Sequence, residues 1–369
     1  MTEKEYHTET DDGMKKFTSD GKVRMLSTEA DVNEKLSSII GEKFVEYRKK
    51  FEAASNFQLE TEFPLYIQIE LHQICNLKCP MCSIGHPDAN QKYISDDKMS
   101  WETYKKVILE CEKYGCPSMN PQGINEPLLT PDLEKYIKFA ADHGFIDILM
   151  NTNATLLTED RARSLLESGL TRLRFSIDAA TKETYEKIRI GGKYDDVVKN
   201  IERFLEIKKE GGYKLPVVGV NMVRMKKNEH EVEQFIEMWK DKVDLVAIQN
   251  FIPPELQADY SEFYSSTEYT DEMEKGFQCE QPWQRIYLSN NGEVCPCCTF
   301  FNKELSLGNV ADKSIHEMWN SSEMKSLRQL HKEGRYYDNP WCNSCVQIVT
   351  NKSNDQLIQL RTNKKKIVN

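Results

Sequence analysis

The sequence lacks three features that are typical of membrane-spanning, secreted and nucleic-acid-binding proteins. No run of about 18 apolar residues occurs, so no membrane-spanning helix is predicted. Residues 1–20 are polar and charged, without the apolar core of a signal peptide. Excess positive charge is also missing, because the 369 residues carry a net charge of −10, and nucleic-acid phosphates demand a basic surface. We therefore expect a cytoplasmic protein that binds neither membrane nor nucleic acid.

Cysteine, by contrast, is abundant. The chain has eleven cysteines, and cytoplasmic proteins rarely pair them in disulfides, so clustered cysteines indicate metal or redox chemistry. Most of them fall into two groups that are distant in sequence. The first contains Cys75, Cys79 and Cys82, and the second contains Cys279, Cys295, Cys297, Cys298, Cys342 and Cys345. Two sites for metal or redox chemistry are therefore predicted.

Strand-like and helix-like segments alternate through the middle of the chain. Strands are predicted at residues 65–71, 118–122, 146–150, 173–177, 217–223 and 245–249, and helices at 101–114, 131–143, 159–168, 194–209 and 229–240. This alternation is typical of an α/β fold with a parallel sheet, and six such units make a partial (β/α)6 barrel of the TIM type. Functional groups should follow the carboxyl ends of its strands.

The other segments set the predicted domain boundaries. Residues 1–60 are charged and lack strand signals, so we predict a polar extension that is disordered at first and then helical. The barrel is assigned to residues 61–252 and a linker to residues 253–278. Residues 279–350 are predicted to be a small metal-stapled module, followed by a polar tail over residues 351–369.

The first cysteine group has the spacing Cys75-x3-Cys79-x2-Cys82. On a helix the three thiols would share one face, but the proline between them disfavours a helix interior. A loop after a strand can instead wrap three thiolates around one centre. Structural zinc normally takes four ligands, so His72 or His86 would have to complete a zinc site. Three thiolates on a four-iron cubane would leave one iron open to a small molecule.

This motif, placed after the first strand of an α/β barrel, resembles the signature of the radical SAM superfamily. The resemblance covers about residues 64–251. It implies that the open iron binds S-adenosylmethionine (SAM), and that an electron from the [4Fe–4S] cluster cleaves SAM to methionine and a 5′-deoxyadenosyl radical. That radical would abstract a hydrogen atom from the substrate. An electron donor such as flavodoxin or ferredoxin is implied as a partner.

Three further segments, at the ends of successive predicted strands, resemble SAM-binding motifs of that family. They are 123–127, similar to the Gly-Gly-Glu-Pro stretch near the methionine ammonium, 151–154 near the ribose, and 176–179 near the methionine carboxylate. Each segment alone is also compatible with an ordinary turn. Arg189 could bind the methionine carboxylate, or it could be an ordinary surface arginine. The resemblance thus implies the SAM-binding set Met81, Asn125, Glu126, Thr152, Asn153, Ser176, Asp178 and Arg189. Met81 and Asn125 depart from the usual aromatic residue and glycine.

The second cysteine group could hold zinc, as in a treble-clef-like module, or an iron–sulfur cluster, and spacing does not decide between them. The sequence segments at residues 279–283, 307–310 and 314–319 resemble the SPASM or twitch extension that follows many radical SAM barrels. No cysteine follows Cys345, which favours the shorter twitch form with one auxiliary [4Fe–4S] cluster. The implied ligands are Cys279, Cys297, Cys342 and Cys345.

Two cysteines remain beside those ligands. We predict a hairpin from a strand at residues 285–288 and a turn at residues 290–292, and Cys295 and Cys298 are alternative ligands within it. As unligated thiols, either could be catalytic by returning a hydrogen atom to a substrate radical, or either could be a buried free thiol.

The family resemblance narrows the reaction to a few classes. Relatives with a twitch module imply dehydrogenation or epimerisation of a carbohydrate- or cyclitol-type small molecule, which is our first hypothesis. The second is a maturase that modifies peptides or proteins, which the missing strand pattern of residues 1–60 disfavours. A third is a non-catalytic, zinc-binding interaction protein.

Overall fold

Two β-sheets organise the chain. The structure is a computed structural model that describes residues 8–9, 15–19, 22–27, 32–89, 93–255, 258–264 and 278–349. A three-stranded sheet lies near the N-terminus, and a nine-stranded sheet carries most of the rest. The predicted polar tail, residues 351–369, lies outside the described residues.

The N-terminal extension contains strands among its described residues, so its prediction as strandless was wrong. Its antiparallel sheet consists, in order, of β1 (Thr8–Glu9), β2 (Lys15–Ser19) and β3 (Lys22–Ser27). These strands are short, and only β3 shows an apolar alternation, which is limited to Val23 and Met25, so no strand was recognised. The predicted helix is present as α1 (Val32–Ile40) and α2 (Glu42–Ser55). Gly41 separates the two with a φ of 87°, which glycine adopts readily.

Six parallel strands form the barrel sheet, and all six were predicted. In sheet order they are β4 (Tyr66–Ile69), β5 (Ser118–Asn120), β6 (Asp147–Thr152), β7 (Arg172–Ser176), β8 (Val217–Arg224) and β9 (Leu245–Asn250). The crossovers run through α3 (Trp101–Tyr114), α4 (Leu133–Asp142), α5 (Glu159–Glu167), α6 (Lys182–Ile188), α7 (Tyr194–Glu210) and α8 (Val232–Trp239). The short α6 was not predicted. Because the strands are parallel, their carboxyl ends meet at one edge.

Local sequence explains where several of these helices begin and end. Ser100 caps α3, because its hydroxyl accepts a hydrogen bond from the backbone N–H of Thr103 at 3.0 Å. Thr158 and Thr181 cap α5 and α6 in the same way. Helix α3 ends at Gly115, which has a φ of 69°. These polar caps set the positions at which the chain turns from strand to helix.

The C-terminal residues, which were predicted to be a small metal-stapled module, extend the barrel sheet. They form α9 (Gln281–Gln284), β10 (Arg285–Leu288), β11 (Glu293–Cys295), β12 (Gly308–Asn309), α10 (Ile315–Trp319), α11 (Ser322–Lys332) and α12 (Pro340–Val349). The predicted hairpin is the β10–β11 pair. Strand β10 also pairs in parallel with β4, with Arg285 opposite Tyr66 and Leu288 opposite Ile69. Nothing in the sequence pattern of a strand identifies a partner so distant in the chain.

One hydrophobic core joins the barrel to the C-terminal residues. Ile67, Phe175 and Trp239 from the barrel belong to the same buried cluster as Ile286 and Trp319. Burial of this apolar surface on both sides of β4 therefore stabilises the two parts together. Among the helices that the structure describes, none is both long enough and apolar enough to cross a bilayer.

Part of the predicted linker, residues 253–278, packs against the barrel. Tyr260 and Phe263 are buried and join a cluster that includes Leu77 and Met81 from the first cysteine loop. Since this packing covers the loop, the described part of the segment is a lid over the barrel rather than a spacer. Its acidic composition hid the few apolar residues that contact the barrel.

Candidate active site

The first cysteine group lies on a loop after β4, so the alternative of a helical stripe was wrong. The loop is tight, because the backbone N–H of Cys82 donates to the carbonyl oxygen of Cys79 at 3.0 Å. A Cβ atom on Gly85 would lie 2.3 Å from that same oxygen, so only glycine fits there. Cys75, Cys79 and Cys82 are free thiols that line one cavity.

Neighbouring groups shift the pKa values of these thiols in opposite directions. Burial raises the pKa of all three thiols, while the guanidinium of Arg189 lowers it and so favours the thiolates. Both ring nitrogens of His86 are engaged, one 3.1 Å from the carbonyl oxygen of Asp259 and the other accepting from the N–H of Asp88. Within the described part of the chain, no three His, Cys, Asp or Glu side chains are placed to hold a single metal ion.

A cavity of about 550 Å³ opens at the carboxyl ends of the barrel strands. It brings together residues from several loops that are far apart in sequence. With the three cysteines, every residue of the predicted SAM-binding set lines it: Met81, Asn125, Glu126, Thr152, Asn153, Ser176, Asp178 and Arg189. This is the edge at which α/β barrels bind their ligands.

Glu126 and Asn125 form one polar wall of this cavity. The Glu126 carboxylate accepts hydrogen bonds from the Thr152 hydroxyl at 2.6 Å and the Asn153 N–H at 2.7 Å. Burial raises the pKa of Glu126, and these donors oppose that shift. The Asn125 Nδ2 is buried and has no hydrogen-bond partner among the described residues. An unpaired donor in a cavity wall fits an oxygen atom of a bound ligand.

Arg189 is an internal residue, so its alternative as a surface arginine was wrong. Its side chain is 14% exposed, and Nη2 lies 2.6 Å from Oδ2 of the fully buried Asp178. The second Asp178 oxygen accepts from the N–H of Val223 at 2.7 Å. Burial lowers the pKa of Arg189, but the charges of Asp178 and Cys79 outweigh it and raise the pKa, so the guanidinium stays charged. Its Nε has no partner among the described residues, which leaves one donor for a ligand.

Sequence reasoning missed a layer of amide side chains inside the barrel. Gln122 accepts through Oε1 from the backbone N–H of Asn151 at 2.8 Å, and Asn221 donates to Asn151 Oδ1 at 3.3 Å. Gln68 donates to the carbonyl oxygen of Gln122 at 2.9 Å. A signal for one member of this layer does exist: in β4 the polar Gln68 lies between two isoleucines, which places it on the opposite face of the strand from them.

Four cysteines of the second group lie together. In every pair among Cys279, Cys297, Cys342 and Cys345, the charge of one thiol raises the pKa of another. Burial is the larger cause and raises the pKa of Cys297 to about 11 and of Cys342 to about 12. The Nε2 of the buried His331 lies 3.4 Å from Cys342 Sγ. Four converging thiols in an apolar setting fit an iron–sulfur cluster.

The two other cysteines of this group have different surroundings. Cys295 is fully buried within β11, where burial raises its pKa. Cys298 is exposed, and its Sγ lies 3.5 Å from Oε1 of Gln281. Cys298 also lines a smaller cavity beside the main one. Of the two, Cys298 is therefore the more accessible thiol.

Barrel, cysteine loop and cavity together define a radical SAM enzyme. The family model of the radical SAM superfamily matches residues 69–238, and that of the iron–sulfur cluster-binding SPASM domain matches residues 279–346. The chain belongs to the radical SAM superfamily and carries a C-terminal SPASM domain. Its cofactors are accordingly SAM, a [4Fe–4S] cluster and auxiliary iron–sulfur chemistry.

Several known proteins are similar to this chain over different lengths. The tungsten-containing aldehyde ferredoxin oxidoreductase cofactor-modifying protein of Pyrococcus furiosus is 25% identical over 76% of this chain and 86% of its own length. A probable GTP 3′,8-cyclase of Methanococcus maripaludis is 31% identical, but the match spans only 50% of this chain and 58% of the cyclase. The crystal structure of Streptococcus suis SuiB bound to precursor peptide SuiA, at 14% identity, covers 78% of this chain and 71% of SuiB with a TM-score of 0.57. That last likeness shows the fold alone.

Proposed function

We propose that this enzyme abstracts hydrogen from a small sugar- or cyclitol-type molecule and dehydrogenates or epimerises it. The observation that carries the proposal is the main cavity of about 550 Å³, whose lining includes Gln122, Gln249 and Asn250. Amide side chains both donate and accept hydrogen bonds, so they suit a ligand that carries several hydroxyl groups. A cavity of this size suits SAM with a small substrate.

The names of two relatives support a small-molecule substrate. The Pyrococcus furiosus relative, matched over 86% of its length, is named as a cofactor-modifying protein. The Methanococcus maripaludis relative is named as a GTP 3′,8-cyclase, and GTP contains a sugar. Both names describe action on small molecules, in line with the cavity.

In this proposal Cys75, Cys79 and Cys82 hold the cluster that binds SAM, and cluster and SAM together supply the 5′-deoxyadenosyl radical. The residues around them bind and orient. Asn125 offers its unpaired amide donor to SAM, and Arg189 offers Nε while its charge favours the thiolates. The lid formed by residues 258–264 limits the access of water to the loop, which protects a radical from side reactions.

Cys279, Cys297, Cys342 and Cys345 are proposed to hold one auxiliary [4Fe–4S] cluster. Cys298 is then free to return a hydrogen atom in an epimerisation, whereas the buried Cys295 is less suited to that role. We place the enzyme in the cytoplasm, where thiols stay reduced and a flavodoxin or ferredoxin can deliver electrons.

Peptide modification is the second candidate, and one observation favours it. The missing strand pattern of residues 1–60 counted against a peptide-binding extension, but β1, β2 and β3 form a sheet there. SuiB, named as bound to a precursor peptide, has the same fold at a TM-score of 0.57. A sheet with a free edge can bind a peptide as an added strand.

Deuterium transfer separates these candidates. We would reconstitute the protein anaerobically, reduce it with SAM present, and supply perdeuterated myo-inositol or perdeuterated glucose. The proposal expects deuterium in the 5′-deoxyadenosine and an oxidised or epimerised polyol. SAM cleavage without any transfer from either polyol would sink the small-molecule proposal and leave the peptide candidate. Protein that binds zinc and no iron would instead support the non-catalytic alternative.

A further inference from the structure

A second cavity, of about 90 Å³, lies between the main cavity and the β10–β11 hairpin. Gly123 and Ile124 line both cavities, so the two meet at these residues. The wall of the second cavity, which we call the inner chamber, includes Glu70, Tyr287 and Lys303. None of these three residues belongs to the predicted SAM-binding set.

Glu70 is the buried acid of the inner chamber. It follows β4, is fully buried, and accepts through Oε1 from the N–H of Ile124 at 2.8 Å. Its Oε2 accepts from the phenol of Tyr287 at 2.5 Å. Among the described residues, no Lys or Arg forms an ion pair with it. Burial of an ionised acid without a cation is costly, so this position favours the protonated form of Glu70.

The groups that face Glu70 determine the pKa of its carboxyl group. Burial raises the pKa of Glu70 to about 7, against the hydrogen bonds from Tyr287 and Ile124 and the charge of Lys303, which lower it. Tyr287 keeps its proton, because burial and the nearby Glu70 charge raise its pKa well above the usual range. The pair therefore consists of a phenol that stays protonated and an acid that exchanges its proton near neutral pH.

Gly123 makes room for this pair. A Cβ atom at that position would lie 2.3 Å from Glu70 Oε1 and 2.6 Å from the Tyr287 hydroxyl. Because φ at Gly123 is not in the left-handed region, only these side chains require glycine there. Gly123 thus separates the main cavity from Glu70 and Tyr287, and any larger residue at this position would displace those two side chains.

We propose that Tyr287 and Glu70 are the acid–base pair of the enzyme and that the inner chamber holds the substrate hydroxyl whose proton they take. This proposal depends on the proposed function, in which the substrate is a small molecule that carries hydroxyl groups. The O–H bond of the substrate breaks and its proton goes to the Tyr287 oxygen, while the phenolic proton of Tyr287 passes to the Glu70 carboxylate. The products are a substrate alkoxide and a neutral carboxylic acid, and no electron moves in this step.

Lys303 gives the inner chamber its positive charge. It forms no ion pair within the part of the chain that the structure describes. A cation at this position stabilises the alkoxide that the proton transfer creates. The chamber therefore favours substrates in which a hydroxyl is the group that loses a proton.

The test compares Glu70→Gln and Tyr287→Phe with the wild-type holoenzyme. The probe is perdeuterated myo-inositol or glucose, whichever transfers more deuterium to 5′-deoxyadenosine in the wild type. Removal of a general base typically costs at least about 100-fold in rate, so product formation should fall by that factor, whereas deuterium transfer stays within about threefold. Glu293→Gln, on neighbouring β11 and outside both cavities, removes the same charge and should behave like the wild type.

An infrared titration provides a readout that a merely structural role would not move. In the wild type a protonated-carboxyl band should disappear with a midpoint near pH 7, and it should be missing in Glu70→Gln. Tyr287→Phe should raise the midpoint, because the phenol no longer stabilises the carboxylate. Normal product formation by Glu70→Gln would overturn the acid–base role and leave the proposed function intact. No deuterium transfer in the wild type would overturn both.

Discussion

At the scale of single residues, Glu70 makes stability depend on pH. Its pKa rises from 4.5 to about 7 on folding, because the carboxyl is fully buried. The folded protein therefore holds a proton between those pH values that the unfolded chain has lost, and its stability falls as the pH rises through that window. The shift corresponds to about 3 kcal/mol.

Glu70→Gln should remove this dependence. Urea unfolding of the reconstituted protein at pH 5 and pH 8 would compare the two forms, and the wild type should lose about 3 kcal/mol more on going to pH 8. Glu293→Gln serves as the control and should keep the wild-type difference. Equal losses in the wild type and in Glu70→Gln would contradict the burial argument.

His331 gives a second prediction at this scale. Burial lowers its pKa to about 4, so the ring is neutral at pH 7, and Nε2 lies next to Cys342 Sγ. An N–H donated to a ligating sulfur stabilises the reduced cluster. His331→Phe should therefore lower the reduction potential of the auxiliary cluster, by on the order of tens of millivolts.

The measurement is a redox titration followed by electron paramagnetic resonance. Serine at Cys75, Cys79 and Cys82 would leave the auxiliary cluster as the only signal. His331→Gln keeps an N–H donor and should restore part of the potential. His316→Phe is the matched control, because His316 stacks on Tyr114 at 4.6 Å and is half-exposed. An unchanged potential in His331→Phe would rule out the hydrogen bond.

At the scale of secondary-structure elements, the hairpin of β10 and β11 decides which thiol is a ligand. Cys297 lies with the three other converging cysteines, whereas Cys295 belongs to the β11 ladder opposite Tyr287. Cys297→Ser should reduce the iron content from about eight to about four atoms per chain, since each cubane holds four. Cys295→Ser and Cys298→Ser should retain about eight. Loss of iron in Cys298→Ser would reassign the ligand.

The elements also show what sequence could and could not predict. The six barrel strands were recovered because each contains buried apolar residues and is bounded by turns. Helix α3 was predicted at its observed bounds, which Ser100 and Gly115 cap. The strands β1 to β3 and the seven-residue α6 lack an apolar period long enough to recognise.

The candidate site was predicted unevenly for a related reason. Motifs such as Cys75-x3-Cys79 identify the residues near SAM, and these do line one cavity, although their roles stay predictions. Glu70 and Tyr287 come from β4 and β10, and only the pairing of those strands brings them together. That pairing joins residues more than two hundred positions apart, which no local pattern encodes.

At the scale of the whole molecule, the barrel should not fold without the C-terminal residues. A chain ending at residue 252 would expose the edge of β4 and remove Ile286 and Trp319 from the common core. An unpaired edge beside exposed apolar surface favours aggregation. We expect aggregates in size-exclusion chromatography, whereas a chain ending at residue 350, which keeps every described element, should be monodisperse. A monodisperse, folded 1–252 fragment would contradict the shared core.

The ladder between β4 and β10 also limits how related enzymes can exchange parts. Strand β4 leads into the loop of Cys75, and β10 leads through its hairpin to Cys297. A C-terminal half taken from another enzyme would have to match the register that sets Arg285 opposite Tyr66, or every side chain of β10 would face the wrong way. Recombination would therefore pass on the two cysteine groups together, as one heritable unit.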